Sequence, residues 1–156
     1  MSLLVRRAAA QDCDDFCRIM QQVHDLHVVE RPDFYRNGRA MAAEEFEAML
    51  GDPSKLALVA VFDDCVAGIC EAQFREASKN PIVVPRRTVW VDALAVDEKC
   101  RGKGIGTALY NAVMSEARSF GTKAVTLNVW TFNRSACNFY KKLGFEEQRI
   151  VMEKKV

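Results

Sequence analysis

Apolar residues recur along the chain with two different periods, and each period predicts one kind of element. From Ile105 to Phe120 they follow the i, i+3, i+4, i+7 spacing of an amphipathic helix. Residues 89–96 are instead a short β-branched run, VWVDALAV, which is typical of a mostly buried strand interrupted by one acid, Asp92. The same patterns predict further helices at residues 12–27, 42–50 and 135–143, and strands at residues 2–7, 56–62, 66–74, 123–130, 145–148 and 150–154.

The order of these elements predicts a single α/β domain over residues 1–156. Residues 63–65 have the length and acids of a hairpin turn, so the strands on either side should pair antiparallel. The helix after residue 104 forms a crossover, so the strands it joins should run parallel. We therefore expect a mixed, mostly antiparallel sheet with helices on both faces. Asp12 is the expected N-cap of the first helix.

Bulk composition narrows the classes of partner and location. The chain has 22 Lys and Arg against 21 Asp and Glu, a formal net charge of +1, which provides no global field for nucleic acid or an anionic membrane. Arg6 and Arg7 follow only a few apolar residues, so we expect no signal peptide, no spanning segment and a cytoplasmic protein. The six cysteines include no C-x-x-C pair, which favours reduced thiols and no metal site.

A glycine-rich loop, RGKGIGT, joins the strand at 89–96 to the helix that follows it. Glycines let a backbone approach a ligand closely, and the free N–H groups at a helix start favour an anion. The alternative is an ordinary turn with two solvated cations. The dinucleotide fingerprint fails because Thr107 stands where its third glycine is required, and a Walker loop fails because no Lys follows Gly106. The residues that could hold the anion are Arg101, Gly102, Lys103, Gly104, Ile105, Gly106 and Thr107.

This loop resembles the pyrophosphate loop, R/Q-x-x-G-x-G/A, of the GCN5-related N-acetyltransferase (GNAT) family. Arg101, Gly104 and Gly106 fill its fixed positions. Residues 133–145, NRSACNFYKKLGF, match the family's later motif, N-x-x-A-x-x-F-Y-x-x-x-G-F, at every fixed position. The resemblance implies an acyl-CoA N-acyltransferase fold, in which two parallel strands splay apart around acetyl-CoA.

The resemblance also implies which residues hold the coenzyme. The pantetheine arm would extend along the backbone of Leu94, Ala95 and Val96, and the pyrophosphate would rest on residues 101–107. Asn133, Ala136 and Tyr140 of the later motif would complete the coenzyme site. Acetyl-CoA is thus the expected co-substrate, and no metal is expected.

The implied reaction is direct transfer of an acetyl group from the thioester to a primary amine. Because an alkyl amine is about 99.9% protonated at pH 7, a base must remove a proton. Asp92 is a candidate because a carboxylate in an apolar strand has a raised pKa. Pairing of Asp92 with Arg86, Arg87 or another cation is an equally good interpretation. Glu71 on the neighbouring strand is the rival base. Tyr140 occupies the family's general-acid position and would protonate the leaving thiolate.

The acceptor is less well defined. Phe34, Tyr35 and Trp130 could line an aromatic wall, while Glu30, Asp92 and Glu71 could attract a cationic amine. A polyamine-like molecule, an amino sugar and a peptide N-terminus all fit. Two other classes of function stay open: a catalytically silent acyl-CoA-binding regulatory protein and a nucleotide-binding module. The family resemblance also makes a homodimer an expectation.

Overall fold

The computed structural model describes residues 2–156. Its strands are β1 (Leu3–Arg7), β2 (Lys55–Phe62), β3 (Cys65–Arg75), β4 (Thr88–Val96) and β5 (Ala124–Leu127). Its α-helices are α1 (Cys13–Glu30), α2 (Ala43–Gly51), α3 (Ile105–Phe120) and α4 (Arg134–Lys142). Short 3₁₀ turns at Ala10–Asp12 and Glu98–Cys100 precede α1 and follow β4.

Within the described chain these strands form one five-stranded sheet in the order β1-β2-β3-β4-β5. Neighbouring strands from β1 to β4 pair antiparallel, whereas β4 and β5 run parallel because α3 crosses between them. Asp63 and Asp64 both have positive φ, 48° and 66°, as a two-residue hairpin requires. The predicted mixed, mostly antiparallel α/β fold and the predicted hairpin are therefore confirmed.

Apolar side chains that alternate along the strands build one core on each face of the sheet. Leu56, Leu58 and Cys70 pack beneath α3 with Leu109 and Val113. On the opposite face Val59 and Ile69 pack against Phe16 and Ile19 of α1 and against residues of α2 such as Phe46. The rings of Phe16 and Phe46 lie 5.2 Å apart. Helices therefore cover both faces, as predicted.

The C-terminal segment departs from the sequence prediction. Residues 145–148 and 150–154, predicted as strands, form no ladder with the sheet. Phe145 instead lies against the rings of Tyr110 and Tyr140, and Glu153 forms an ion pair with Arg31 at 3.2 Å. Ile150, Val151 and Met152 are exposed. Although the segment has a strand-like pattern, it forms no strand in the structure, so the two predicted strands are wrong.

Two smaller predictions are also corrected. Strand β5 ends at Leu127, so Trp130 lies beyond the strand in which the sequence placed it. Asp12 does not cap α1 with its side chain. Its carboxylate accepts the Ala9 N–H at 2.7 Å and two hydrogen bonds from Arg6. All six cysteines are free, and no α-helix in the described part of the chain is long and apolar enough to cross a membrane.

Candidate active site

The parallel strands β4 and β5 separate partway along their length. They pair only from Thr88↔Ala124 to Val91↔Leu127, although β4 continues to Val96 on its other side, where it pairs with β3. Residues 92–96 therefore have no partner on the β5 side. A ligand with amide groups could extend along this backbone, which satisfies the general need of strand edges for hydrogen-bond partners. Leu94, Ala95 and Val96, the predicted residues for the coenzyme arm, line this gap on the β4 side.

The glycine-rich loop, residues 101–107, lies at the end of β4 and opens α3. We call it the anion loop. Gly102 and Gly104 both have φ of +77°, and no atom lies within 4 Å of the Cβ that a larger residue would place there. The first bond of the helix runs from Ala108 N–H to Gly104 C=O at 3.1 Å. Because this is the first bond, the N–H groups of residues 105–107 are left for a ligand.

Side chains around the anion loop are exposed and positively charged. Arg101, Lys103 and Thr107 are all solvent-exposed. The ammonium group of Lys103 lies 4.9 Å from the centre of the Phe62 ring, a cation–π contact. Ile105, by contrast, is buried in the core beneath α3. The loop thus combines free N–H groups, a helix N-terminus and exposed cations. These are the groups that favour binding of an anion such as a diphosphate.

Helix α4, which carries the second motif, packs against the start of α3 beside the anion loop. The Asn133 side-chain oxygen accepts the Ala136 N–H at 3.1 Å and caps the helix, which leaves its NH₂ group free to donate to a ligand. A Cβ at Gly106 would lie 3.2 Å from the Phe139 ring, so glycine at this position lets α4 pack closely on the start of α3. The Tyr140 ring lies between Phe139 and Phe145. Burial, with a smaller contribution from Cys70, raises the pKa of Tyr140 to about 12.

The two candidate bases lie together on neighbouring strands. Glu71 pairs with Ala93 while Ala72 pairs with Val91, so Asp92 is the extra residue of a β-bulge. Asp92 is exposed, and both of its oxygens accept from the Gln73 amide at 3.0 and 2.9 Å. The prediction that Asp92 lies in an apolar environment is therefore wrong, and its hydrogen-bond partner is neither Arg86 nor Arg87. The bulge turns its side chain outward.

Glu71 is the more enclosed of the two acids. It is half-buried, and burial, reinforced by the negative charge of Asp92, raises the pKa of its carboxyl group despite the opposing effect of Lys55. A raised pKa is the property that a general base near neutral pH needs. The raised pKa that the sequence predicted for Asp92 is thus found on Glu71.

The predicted aromatic wall is assembled from the α1–α2 connection and the segment after β5. The Tyr35 hydroxyl accepts the Trp130 indole N–H at 2.9 Å, and the Phe34 ring lies 5.3 Å from that of Trp130. Arg31 places its guanidinium 4.8 Å from the centre of the Trp130 ring. Glu30, the third acid considered for attracting the acceptor, is exposed at the end of α1.

Sequence reasoning missed three members of this wall. His27 stacks on Tyr35 at 5.1 Å, Phe132 stacks on Trp130 at 5.8 Å, and Arg31 joins Phe34 to Trp130. Burial, followed by the nearby His24, lowers the pKa of His27. These residues come together from elements about 100 positions apart, so no local spacing could have indicated the group.

The splayed strands, the anion loop and the enclosed acid belong to one α/β domain. Comparison with known proteins identifies the family. A profile described as the Acetyltransferase (GNAT) family matches residues 20–145, which is most of the chain. The protein belongs to the GNAT family.

Individual relatives agree with this assignment. An uncharacterised N-acetyltransferase of Methanocaldococcus jannaschii is 42% identical over 66 residues, which are 42% of this chain and 29% of that protein. This chain matches less than half the length of each of four curated relatives. A solved structure of a variant BH1408 protein from Bacillus halodurans is 30% identical, with a TM-score of 0.95, and the match covers 98% of this chain and 99% of that one.

The fold extends to more distant proteins. Glucosamine-6-phosphate N-acetyltransferase from Arabidopsis thaliana is 18% identical with a TM-score of 0.73, and the match covers 99% of each chain. At this identity the similarity concerns the fold alone. It supports the acyl-CoA N-acyltransferase fold that the sequence motifs predicted.

Proposed function

We propose that this protein is an N-acetyltransferase that moves an acetyl group directly from acetyl-CoA to a primary amine. The observation that carries the proposal is the gap between β4 and β5, which leads directly to the free N–H groups of the anion loop. The gap offers backbone partners to the amides of a pantetheine arm, and the loop offers N–H groups and cations to its diphosphate. Family membership supports the same co-substrate.

In the proposed reaction the amine nitrogen attacks the thioester carbonyl carbon. Glu71, directly or through water, accepts the proton that the nitrogen loses. The carbon–sulfur bond then breaks, and Tyr140 gives its phenolic proton to the departing thiolate. The products are the N-acetyl amine and CoA with a free thiol. Asp92 serves as a second candidate base, and its charge also keeps the pKa of Glu71 high.

The aromatic wall of Phe34, Tyr35 and Trp130 is the proposed surface for the acceptor. Its rings present flat π faces, and the acids Glu71 and Asp92 lie on strands β3 and β4. This combination favours a cationic amine. A polyamine-like molecule, an amino sugar and a peptide N-terminus are the candidate classes. We also propose that the protein acts in the cytoplasm.

The coenzyme site is tested by a matched pair of substitutions in the anion loop. Gly104→Asn and Gly104→Asp give side chains of nearly equal shape, and both residues tolerate positive φ. Only the second places a negative charge beside the bound diphosphate. We expect wild-type protein and the Asn variant to be stabilised by CoA and acetyl-CoA in thermal-shift titrations, and the Asp variant to bind both at least tenfold more weakly.

The ligands ATP and NAD are titrated in parallel, followed by an amine panel with detection of the released thiol. A shift with ATP or NAD that exceeds the shift with CoA would contradict the proposal and favour a nucleotide-binding module. Binding of acetyl-CoA without thiol release from any amine would favour the silent regulatory protein. Thiol release together with an acetylated amine supports the transferase.

A further inference from the structure

A buried carboxylate lies immediately before the anion loop. Asp97 is only 5% exposed, and its side chain accepts hydrogen bonds from Arg18 at 2.5 Å, from Lys99 N–H at 3.1 Å and from Gln22 at 3.3 Å. Its own N–H donates to Ala67 C=O at 2.8 Å. The turn at residues 97–100 is therefore attached to β3 by its backbone and to α1 by its side chain.

Helix α1 supplies two of these contacts from consecutive turns. Arg18 and Gln22 are four residues apart and lie on one face of the helix. The Gln22 amide nitrogen reaches Asp97, and its carbonyl oxygen accepts Glu98 N–H at 3.1 Å. Gln22 thus holds the turn on both sides with one side chain, although it carries no charge.

The neighbouring residue, Gln21, makes an equivalent pair of hydrogen bonds to a different segment. Its amide nitrogen donates to Gly38 C=O at 2.9 Å, and its oxygen accepts Ala40 N–H at 2.9 Å. Those residues belong to the connection between α1 and α2, which also carries the aromatic wall. Adjacent glutamines on α1 therefore hold two different segments. Gln22 holds the turn that leads into the anion loop, and Gln21 holds the connection that carries the aromatic wall.

We propose that Gln22 is a positioning residue for coenzyme binding, which sets the anion loop from α1 through the turn at residues 97–100. The inference rests on the proposed function, because it assumes that the loop binds the coenzyme diphosphate. A loop with three glycines in seven positions has little stiffness of its own. Its far end is fixed by buried Ile105, so its near end depends on the turn that Gln22 and Asp97 hold.

The test compares Gln22→Leu with Gln21→Leu by calorimetric titration of CoA. The two variants make the same substitution, on the same helix, at two half-buried positions. We choose Gln22 because loss of Arg18 would leave Asp97 buried without its cation, which risks unfolding the protein. We expect the Kd for CoA to rise about tenfold for Gln22→Leu and less than twofold for Gln21→Leu.

Steady-state kinetics and melting temperatures separate positioning from general damage. Gln22→Leu should raise the coenzyme KM while kcat at saturating coenzyme stays within about twofold of wild type, and both variants should melt at similar temperatures. Equal CoA affinities for the two variants, with wild type binding normally, would overturn the inference alone. A wild-type chain that binds no CoA would contradict the proposed function itself.

Discussion

At the scale of single residues, Tyr140 combines a family motif with an enclosed environment. Its ring packs between Phe139 and Phe145, and burial raises the pKa of its phenol to about 12. A phenol with this pKa stays protonated throughout the physiological range, so it is always ready to donate.

Tyr140→Phe should therefore lower kcat by about 10²–10³-fold, because it removes a general acid, while the Kd for CoA changes little. Thiol-release kinetics and calorimetry measure the two quantities. Tyr110→Phe is the matched control, since Tyr110 also contacts Phe145 but lies outside the motif. Unchanged kcat in Tyr140→Phe would remove this residue from the mechanism.

The two neighbouring acids give a prediction about pH. Asp92 is one cause of the raised pKa of Glu71, so removing its charge should lower the Glu71 pKa. If Glu71 is the base, Asp92→Asn should retain activity at neutral pH and move the acid limb of the kcat/KM profile to lower pH. Glu71→Gln should lower kcat/KM by about 10²-fold or more. Loss of activity in Asp92→Asn, with Glu71→Gln active, would instead identify Asp92 as the base.

Asp92 also illustrates why part of the site could not be predicted. The sequence shows one acid in an apolar strand, which indicates burial. Its actual exposure follows from a bulge opposite Glu71 and Ala72, and a bulge depends on how two distant strands align. Tyr140, Asn133 and the glycines of the anion loop were predictable because their motifs are local. The aromatic wall was only partly predictable because it depends on long-range packing.

At the scale of elements, α3 approaches the sheet closely at Gly68. A Cβ at this position would lie 2.8 Å from Ile105 Cγ2, 3.0 Å from Leu109 Cδ1 and 3.2 Å from the carbonyl oxygen of Ala95. Two of these atoms belong to buried side chains at the start of α3. The absence of a side chain on β3 thus sets how closely the helix that begins at the anion loop can pack.

Gly68→Ala should destabilise the protein by about 1–3 kcal/mol, because an overpacked core must shift α3 or strain its side chains. At this size that corresponds to a fall in Tm of roughly 2–4 °C per kcal/mol. Gly51→Ala is the control, since no atom lies within 4 Å of its added Cβ. Equal melting temperatures for the two variants would show that the contact relaxes without cost.

The strands and helices themselves were largely predictable from apolar periodicity. All four α-helices and the first four strands lie where the pattern placed them, to within a few residues. The exceptions share a cause. Strand β5 is shorter than predicted, and the C-terminal segment forms no strand, because strand formation depends on long-range pairing that a local pattern does not encode. An alternating pattern indicates that a strand can form, but it does not show whether another strand pairs with it.

At the scale of the whole molecule, two exposed apolar segments stand out. Ile82 and Val84 are 89% and 80% exposed, and Val151 and Met152 are 92% and 89% exposed. An exposed apolar segment is a candidate for burial against another protein chain. The homodimer implied by the family resemblance remains a prediction, and we propose that these two segments lie at its interface.

We expect sedimentation equilibrium to give a mass of about twice 17.6 kDa at micromolar concentration. Val151→Lys and Val84→Lys should shift the equilibrium toward monomer, because each would bury a charge at the interface. Val129→Lys, at a position that is 38% exposed, serves as the control. A wild-type protein that sediments as a monomer would contradict the prediction.

The separation of β4 from β5 also bears on how long the protein survives. Without a coenzyme, an interior strand carries five backbone positions with no neighbour on one side, a vulnerability that sheets normally confine to their rims. A bound acyl-CoA would pair with this strand edge and shift the opening equilibrium away from opened, protease-sensitive forms. We therefore expect limited proteolysis of the purified protein to slow when acetyl-CoA is added at saturating concentration.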